Sequence, residues 1–220
     1  MIESLLESAS SFSQDIDHAI FVITVVVGVW FFAAEALLFW FLFRFRARPD
    51  TPSQYIEGRG RQLRWILIPL AAVVLCDIFL IAADVGVWLK IKQDLPEPDV
   101  TVRVTAQQWA WTFQHPGKDG KLDTDDDIVT VDELHIEVGK VHHALLLSED
   151  VVHSFSVPVF RLKQDIVPGR QITAWFQATK TGEHDIQCVE MCGVGHGLMG
   201  ARIVIEDAAA HAAWLGGASR

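Results

Sequence analysis

The sequence is poor in positive charge. Its 18 Lys and Arg stand against 28 Asp and Glu over 220 residues, a net charge of −10, which argues against a nucleic-acid partner held by phosphate neutralisation. No Cys-x-x-Cys-His occurs, so no c-type haem is fused to the chain. A secretory signal peptide would begin with a basic stretch. Here Glu3, Glu7, Asp15 and Asp17 precede the first apolar run, which is therefore read as a retained anchor. Internal repeats and low-complexity tracts are also lacking. Cysteine is scarce, and of the three, Cys76 sits alone in an apolar run, where it reads as a small hydrophobe.

What is present is segregated. Two apolar runs, 19–45 and 65–90, each exceed the roughly 20 helical residues that a bilayer core requires, and they predict a transmembrane hairpin. Residues 1–18 read as an outer lead-in, 46–64 as a loop, and 91–99, with Pro96 and Pro98, as a stiff linker. The loop holds Arg44, Arg46, Arg48, Arg59, Arg61 and Arg64 against Asp50 and Glu57, which keeps it cytoplasmic and sends both termini outside. Within the spans, Glu35 is expensive in lipid and should face protein, Asp84 reads as lying near the outer interface, and Asp77 either pairs with a neighbouring helix or belongs to a proton path.

Beyond the linker the pattern becomes short runs rich in Val, Ile, Thr and aromatics, at 100–105, 109–114, 134–138, 143–147, 154–157, 171–177, 183–187 and 201–206. Regular spacing with turn residues between them predicts an antiparallel sandwich or barrel over 100–207, followed by a tail or short helix at 208–220. Residues 93–220 carry 10 basic and 19 acidic side chains, which favours a basic partner.

The chemistry concentrates between Cys188 and Met199. Two cysteines four residues apart, then His196 and Met199, are separated by glycines that let backbone approach an ion closely. A disulfide would use the cysteines alone, and zinc has little use for a thioether. Thiolate, imidazole and thioether together select copper. A mononuclear blue-copper site needs one thiolate and two histidines, so the second cysteine is surplus to it. Two shared thiolates could instead hold two copper ions, with a further histidine drawn from His115, His135, His142, His143, His153, His184 or His211. His153 stands out because it joins two apolar runs.

Four stretches together carry a resemblance. They are Cys188-Val189-Glu190-Met191-Cys192-Gly193 running on to His196 and Met199, the segment Asp150-Val151-Val152-His153-Ser154-Phe155, the segment Lys163-Gln164-Asp165-Ile166-Val167-Pro168-Gly169-Arg170, and Gln108-Trp109-Ala110-Trp111. With the two spans they make the chain similar to cytochrome c oxidase subunit II. The resemblance implies a cupredoxin-like Greek-key barrel holding a dinuclear copper A centre. In it Cys188 and Cys192 bridge two copper ions, with His153 and Met199 on one, and His196 and the Glu190 carbonyl on the other. It further implies a magnesium or manganese ion at the Glu190 carboxylate, on the boundary with subunit I. Trp109 is implied as the residue through which electrons arrive.

The function so implied is acceptance of electrons from a separate, basic cytochrome c and their passage to haem in subunit I, where oxygen is reduced with proton pumping. The expected setting is a bacterial cell membrane, with subunit I and subunit III as partners and the copper domain outside. Two other readings are a copper A subunit of a related haem-copper enzyme, such as a nitric oxide reductase, and a membrane-anchored copper carrier or redox sensor. A quinol oxidase subunit would lack the copper ligands. One departure stands out: where the family commonly places a glutamate at the mouth of a proton channel, three residues before Trp65, this chain has Gln62, and Glu57 is the loop acid that could substitute. The acidic stretch 119–127 fits a calcium loop poorly, since Ile128 and Leu134 fall where glycine and glutamate belong. It reads instead as a solvated face that steers a basic cytochrome c.

Overall fold

The computed structural model describes residues 7–49, 52 and 57–218. Glu3 and Asp50, used in the charge argument, and the outermost parts of the expected lead-in and tail lie outside the described residues. Two compact units are present, one gathering residues up to Ile16 with those from Lys90 onward, the other Asp17–Leu89.

The second unit holds most of two helices, α1 (Ser13–Arg44) and α2 (Arg64–Lys92), the latter entered through a 3-10 turn at Gly60–Leu63. Both are long and apolar enough to cross a bilayer. Phe21, Phe32, Leu75 and Ile81 are among the many large apolar side chains they leave exposed. Trp30 Nε1 donates to Cys76 Sγ at 3.0 Å, so the cysteine read as a plain hydrophobe also accepts a hydrogen bond. Asp84 is half-buried and Asp77 exposed.

Each helix overruns its expected limit. α1 starts at Ser13 rather than 19, because the polar first turn suits a helix N-terminus: Asp15 lies near the positive end of the dipole, and Ser13 Oγ donates to Ser10 O at 2.9 Å. The lead-in is no loose extension either. Ala9, Ser10, Phe12 and Ser13 are buried, Ser10 forms a bridge with Ala178, and Ala9 N donates to Val159 O at 3.0 Å. Phe12 meets Trp175 edge-on at 5.1 Å. Replacing Phe12 by leucine is expected to lower stability by about 1 kcal/mol, read from the urea midpoint of the detergent-solubilised chain. An unchanged midpoint would show that this docking contributes nothing. α2 continues to Lys92, two residues into the expected linker, because its last turn finds partners: Ile91 O accepts from Trp175 Nε1 at 3.1 Å, and Lys92 Nζ reaches Gln164 Oε1 at 2.7 Å.

Among the described residues the first unit is built on ten strands: β1 (Val100–Gln107), β2 (Ala110–His115), β3 (Ile128–Val131), β4 (Glu133–Glu137), β5 (Val141–Ser148), β6 (His153–Val157), β7 (Leu162–Ile166), β8 (Ile172–Gln177), β9 (Gly182–Cys188) and β10 (Gly200–Glu206). They form two five-stranded sheets, ordered β3-β2-β1-β5-β8 and β4-β10-β9-β6-β7. Alternation supplies the inner faces, as where Val102, Val104 and Ala106 of β1 are buried between outward Thr101, Arg103 and Thr105. Trp111, Phe113, Phe155, Phe160, Phe176, Leu146 and Ile203 fill the core, each worth about 1.5 to 3 kcal/mol of burial.

The all-antiparallel expectation is corrected at two places. β1 pairs with β5, and β10 with β4, in parallel. Parallel neighbours need a long crossover, here the whole of β2 to β4 between β1 and β5, which strand spacing along the chain does not reveal. β3 and β7 were not foreseen. In β7 only Leu162 and Ile166 are buried, with Lys163, Gln164 and Asp165 between them, so no apolar alternation marks it. The tail forms α3 (Ala208–Ala218).

Candidate metal centre

The register of two central strands explains the centre. β6 and β9 are antiparallel, with Phe155 opposite Cys188 and Ser156 opposite Gln187. Continuing that register past the sheet end sets His153, the first residue of β6, alongside Glu190, just beyond the last residue of β9. Val189 N donating to Ser154 O at 3.2 Å extends the pairing by one step. A histidine 35 residues upstream of Cys188 thereby reaches the loop. The loop itself is closed at its base by Cys188 N donating to Met199 O at 3.1 Å, where β10 begins.

Every soft donor singled out in the sequence converges here. Cys188 Sγ lies 3.7 Å from Cys192 Sγ, 3.9 Å from His153 Nδ1 and 3.3 Å from Glu190 O. Cys192 Sγ lies 3.6 Å from His196 Nδ1 and 3.7 Å from Met199 Sδ. The cysteines are free thiols. Ligand atoms of His153, Cys188 and Cys192 fall within 4.8 Å of one another, the only such group of three His, Cys, Asp or Glu among the described residues. His153 is fully buried, and Cys188, Cys192 and Met199 nearly so, whereas His196 and Glu190 are half-buried. Burial, with the Cys188 thiol beside it, raises the Cys192 thiol well above its ordinary value, so a cation is what would hold it as thiolate here. Two thiols, two imidazoles, a thioether and a carbonyl gathered at one largely buried site fit a soft, redox-active metal such as copper.

The walls of the pocket are aromatic. Trp111 is fully buried and meets the His153 ring edge-on at 6.3 Å. Trp109, expected to open the strand run 109–114, lies outside it. Gln107 pairs with Ala110, so Gln108 and Trp109 form the two-residue turn between β1 and β2, and Trp109 is 41% exposed. Its ring lies over the metal loop, 3.2 Å from where a Cβ on Gly193 would sit. A Cβ on Gly195 would collide with the same ring, so these two glycines permit the close approach. Gly193 also has φ +121°, a region that favours glycine.

The other candidate histidines are elsewhere. His115, His135, His142 and His211 line a separate cavity of about 130 Å³, and His143 Nε2 lies 2.8 Å from Pro96 O. His184 keeps Nε2 buried without a partner. In the acidic stretch, Arg103 is bidentate to Asp123 at 2.6 and 2.8 Å, and Thr124 Oγ1 donates to Asp126 Oδ1 at 2.8 Å. Those carboxylates are engaged with protein groups.

Two residues quoted in the sequence motifs but given no role prove to matter. Asp150 Oδ1 accepts from His153 Nε2 at 2.8 Å and from Val151 N at 2.6 Å, while its Oδ2 accepts from Gln108 N at 2.7 Å. Gln108 Nε2 donates to Cys192 O at 2.7 Å. An Asp three residues ahead of a candidate ligand His was the signal available for the first. Burial works against the Asp150 charge, but donation from His153, Gln108 and Val151 holds its carboxyl below the usual range.

Comparison with known proteins shows the family. A family model described as cytochrome c oxidase subunit II, periplasmic domain, matches residues 100–208. The chain is 31% identical to an alternative cytochrome c oxidase subunit 2 of Bradyrhizobium diazoefficiens, over 91% of this chain and 79% of the relative. It is 26% identical to cytochrome c oxidase subunit 2 of Cereibacter sphaeroides, over 89% and 73% respectively. Among solved structures, the periplasmic domain of subunit II of cytochrome oxidase from Bradyrhizobium japonicum superimposes with a TM-score of 0.50 at 29% identity, covering 56% of this chain and 96% of that one. The strand domain is thus cupredoxin-like and corresponds to an outer-side domain carried by a membrane protein. With its two membrane-length helices, its sandwich of two sheets and its His, Cys, Cys cluster at one sheet end, the chain belongs to the cytochrome c oxidase subunit II family.

Proposed function

We propose that this chain is the electron-accepting subunit of a cytochrome c oxidase, taking electrons singly from a cytochrome c and delivering them to haem in subunit I. The observation that carries the reading is the convergence of Cys188, Cys192, His153, His196, Met199 and the Glu190 carbonyl, all within 3.3 to 3.9 Å of one or other thiol sulfur. Cys188 and Cys192 would be shared between two copper ions, with His153 and Met199 completing one set and His196 and the Glu190 carbonyl the other. Such a pair supplies a one-electron couple whose charge is spread over both metals and both sulfurs. The Glu190 carboxylate is free to serve a magnesium or manganese ion against subunit I.

The chain's own residues give the centre its working properties. His153 and Met199 are locked by burial, and the loop is pinned at both ends of its base, so ligand positions change little on electron transfer. Trp109 projects from a tight turn to the surface while its ring covers Gly193 and Gly195, placing a π-system between solvent and the thiolate loop. The negative surface of residues 93–220 steers a basic cytochrome c towards it. The arginine-rich loop stays on the cytoplasmic side of a bacterial cell membrane, with the copper domain and both termini outside. Glu35 and Asp77 face partner subunits in the bilayer.

The test of the centre is electron paramagnetic resonance of the copper-loaded chain. In the oxidised chain an unpaired electron shared by two copper nuclei would give a hyperfine pattern that one copper cannot, and a single-copper or silent spectrum of the fully loaded, oxidised chain would overturn the reading. Replacing Trp109 by phenylalanine is expected to leave that spectrum unchanged while slowing reduction by cytochrome c roughly tenfold or more, about 1.4 kcal/mol of barrier. Stopped-flow reduction of the assembled oxidase measures this, and an unaltered rate would remove Trp109 from the path.

A further inference from the structure

Gln108, the covalent neighbour of Trp109, is joined to the candidate metal ligands by a set of hydrogen bonds that metal binding does not account for. Gln108 immediately precedes Trp109 in the β1 to β2 turn. Its backbone N–H donates to Asp150 Oδ2 at 2.7 Å, and its side-chain Nε2 donates to the carbonyl of Cys192 at 2.7 Å. Asp150 in turn accepts from His153 Nε2 at 2.8 Å through its other oxygen. The residue beside the exposed tryptophan is therefore tied to one thiol residue directly and to a buried imidazole through a single carboxylate.

Asp150 is itself held in place. Val151 N donates to its Oδ1 at 2.6 Å, and Ser148 Oγ accepts from its backbone N–H at 3.3 Å. Its geometry fixes the imidazole. With Nε2 facing a carboxylate, the ring carries its proton there and turns an unprotonated Nδ1 toward Cys188 Sγ, 3.9 Å away. A carboxylate on the far nitrogen also makes the ring a stronger donor, which favours the oxidised metal. The imidazole is fully buried, and Trp111 meets the ring edge-on at 6.3 Å.

We infer that Asp150 is a positioning residue of the copper centre, fixing the tautomer and donor strength of His153 and, through Gln108, holding Trp109 against the same centre. The inference rests on the copper reading above and adds to it a residue that touches neither metal nor electron donor. Charge on Asp150 also contributes to the acidic surface, so cytochrome c kinetics alone would confuse steering with positioning. The readouts must come from the protein without its donor.

The experiment compares wild-type chain with Asp150→Asn and Gln108→Leu, each loaded with copper in detergent. Copper stoichiometry is measured first, and failure of the wild type to hold two coppers would overturn the copper reading rather than this one. Asp150→Asn keeps the shape and an acceptor but removes the charge. It is expected to shift the reduction potential upward, alter the hyperfine pattern, and weaken copper retention against a chelator by about 10- to 100-fold. Gln108→Leu is expected to leave the potential near that of the wild type while changing the part of the tryptophan fluorescence that is lost on replacing Trp109 by phenylalanine. If Asp150→Asn binds copper with unchanged potential, hyperfine pattern and retention, Asp150 is a surface acid only and the inference fails. Loss of the hyperfine change in a protein whose chelator resistance still falls would equally overturn it, since an effect through His153 must reach the metal's electronic structure.

Discussion

Changing Cys192 to serine is expected to abolish the proposed dinuclear centre. The reason lies in the donor count. Cys188 and Cys192 sulfurs stand 3.7 Å apart and are the only two soft anionic donors in the pocket, since Cys76 belongs to the other unit. Serine keeps the volume but supplies a hard, protonated oxygen that binds copper poorly at neutral pH. What remains is one thiolate with His153, His196 and Met199, a set suited to a single copper of the blue type. Copper content should fall from two ions to one per chain, the hyperfine pattern should become that of one nucleus, and electron uptake from cytochrome c should drop to background in the assembled oxidase. Far-ultraviolet circular dichroism should be unchanged, because the fold draws on the core away from this loop. Retention of two coppers with an unaltered spectrum would show that Cys192 is no ligand.

Acid should unfold the strand domain well before its carboxylates are exhausted. His115 and His142 are almost wholly buried beside α3. Burial pushes His115 down to about 3, helped by His135, His211 and His142 nearby, and pushes His142 down to about 4 against the hydrogen bond to Lys140 O. Both are therefore neutral when folded, while in the unfolded chain they take up protons near 6.5. Stability from these groups is complete above that value and is lost as pH falls toward the folded pKa values. At pH 5 each histidine should cost about 2 kcal/mol relative to pH 7, and the pair about 4, a large part of a total of roughly 5 to 15.

The structure adds where the damage begins. His135 stacks on Trp214 at 4.2 Å between Glu133 and Glu206, and His211 lies 2.9 Å from the same Glu206, so the cluster is what seats α3. The urea midpoint of the full chain in detergent at pH 7 and pH 5 measures the effect. The variant carrying both His115→Gln and His142→Asn, whose amides can keep the bonds to Thr130 and Lys140, should show a much flatter pH dependence. A wild-type midpoint that does not move between the two pH values would refute the argument.

Much of this protein can be read from composition and spacing because those patterns are local. Twenty-odd apolar residues without charge specify a membrane-length helix wherever they occur, and residue alternation specifies a strand with one buried face. Cys188, Cys192, His196 and Met199 lie within one loop, so their convergence needs only a closed turn. β7 shows the limit: Leu162-Lys163-Gln164-Asp165-Ile166 is a strand because β6 is beside it, and its own pattern says otherwise. The buried lead-in is similar, since nothing about Ala9 or Phe12 announces a groove formed by Val159, Trp175 and Ala178.

The soft donor types, the two apolar helices, the strand-rich domain and the sign of its charge were all legible in the chain, because they are properties of residues or of short windows. The tertiary structure supplied the reason that His153 lies beside the cysteines, which is the antiparallel register of β6 on β9. It alone put Trp109 in a turn over Gly193 and Gly195 rather than on a strand with Trp111. It alone connected Asp150 to both His153 and Gln108, residues 3 and 42 positions away along the chain. Contacts of that kind follow from strand pairing across long crossovers, whose partners are chosen by how the whole core packs.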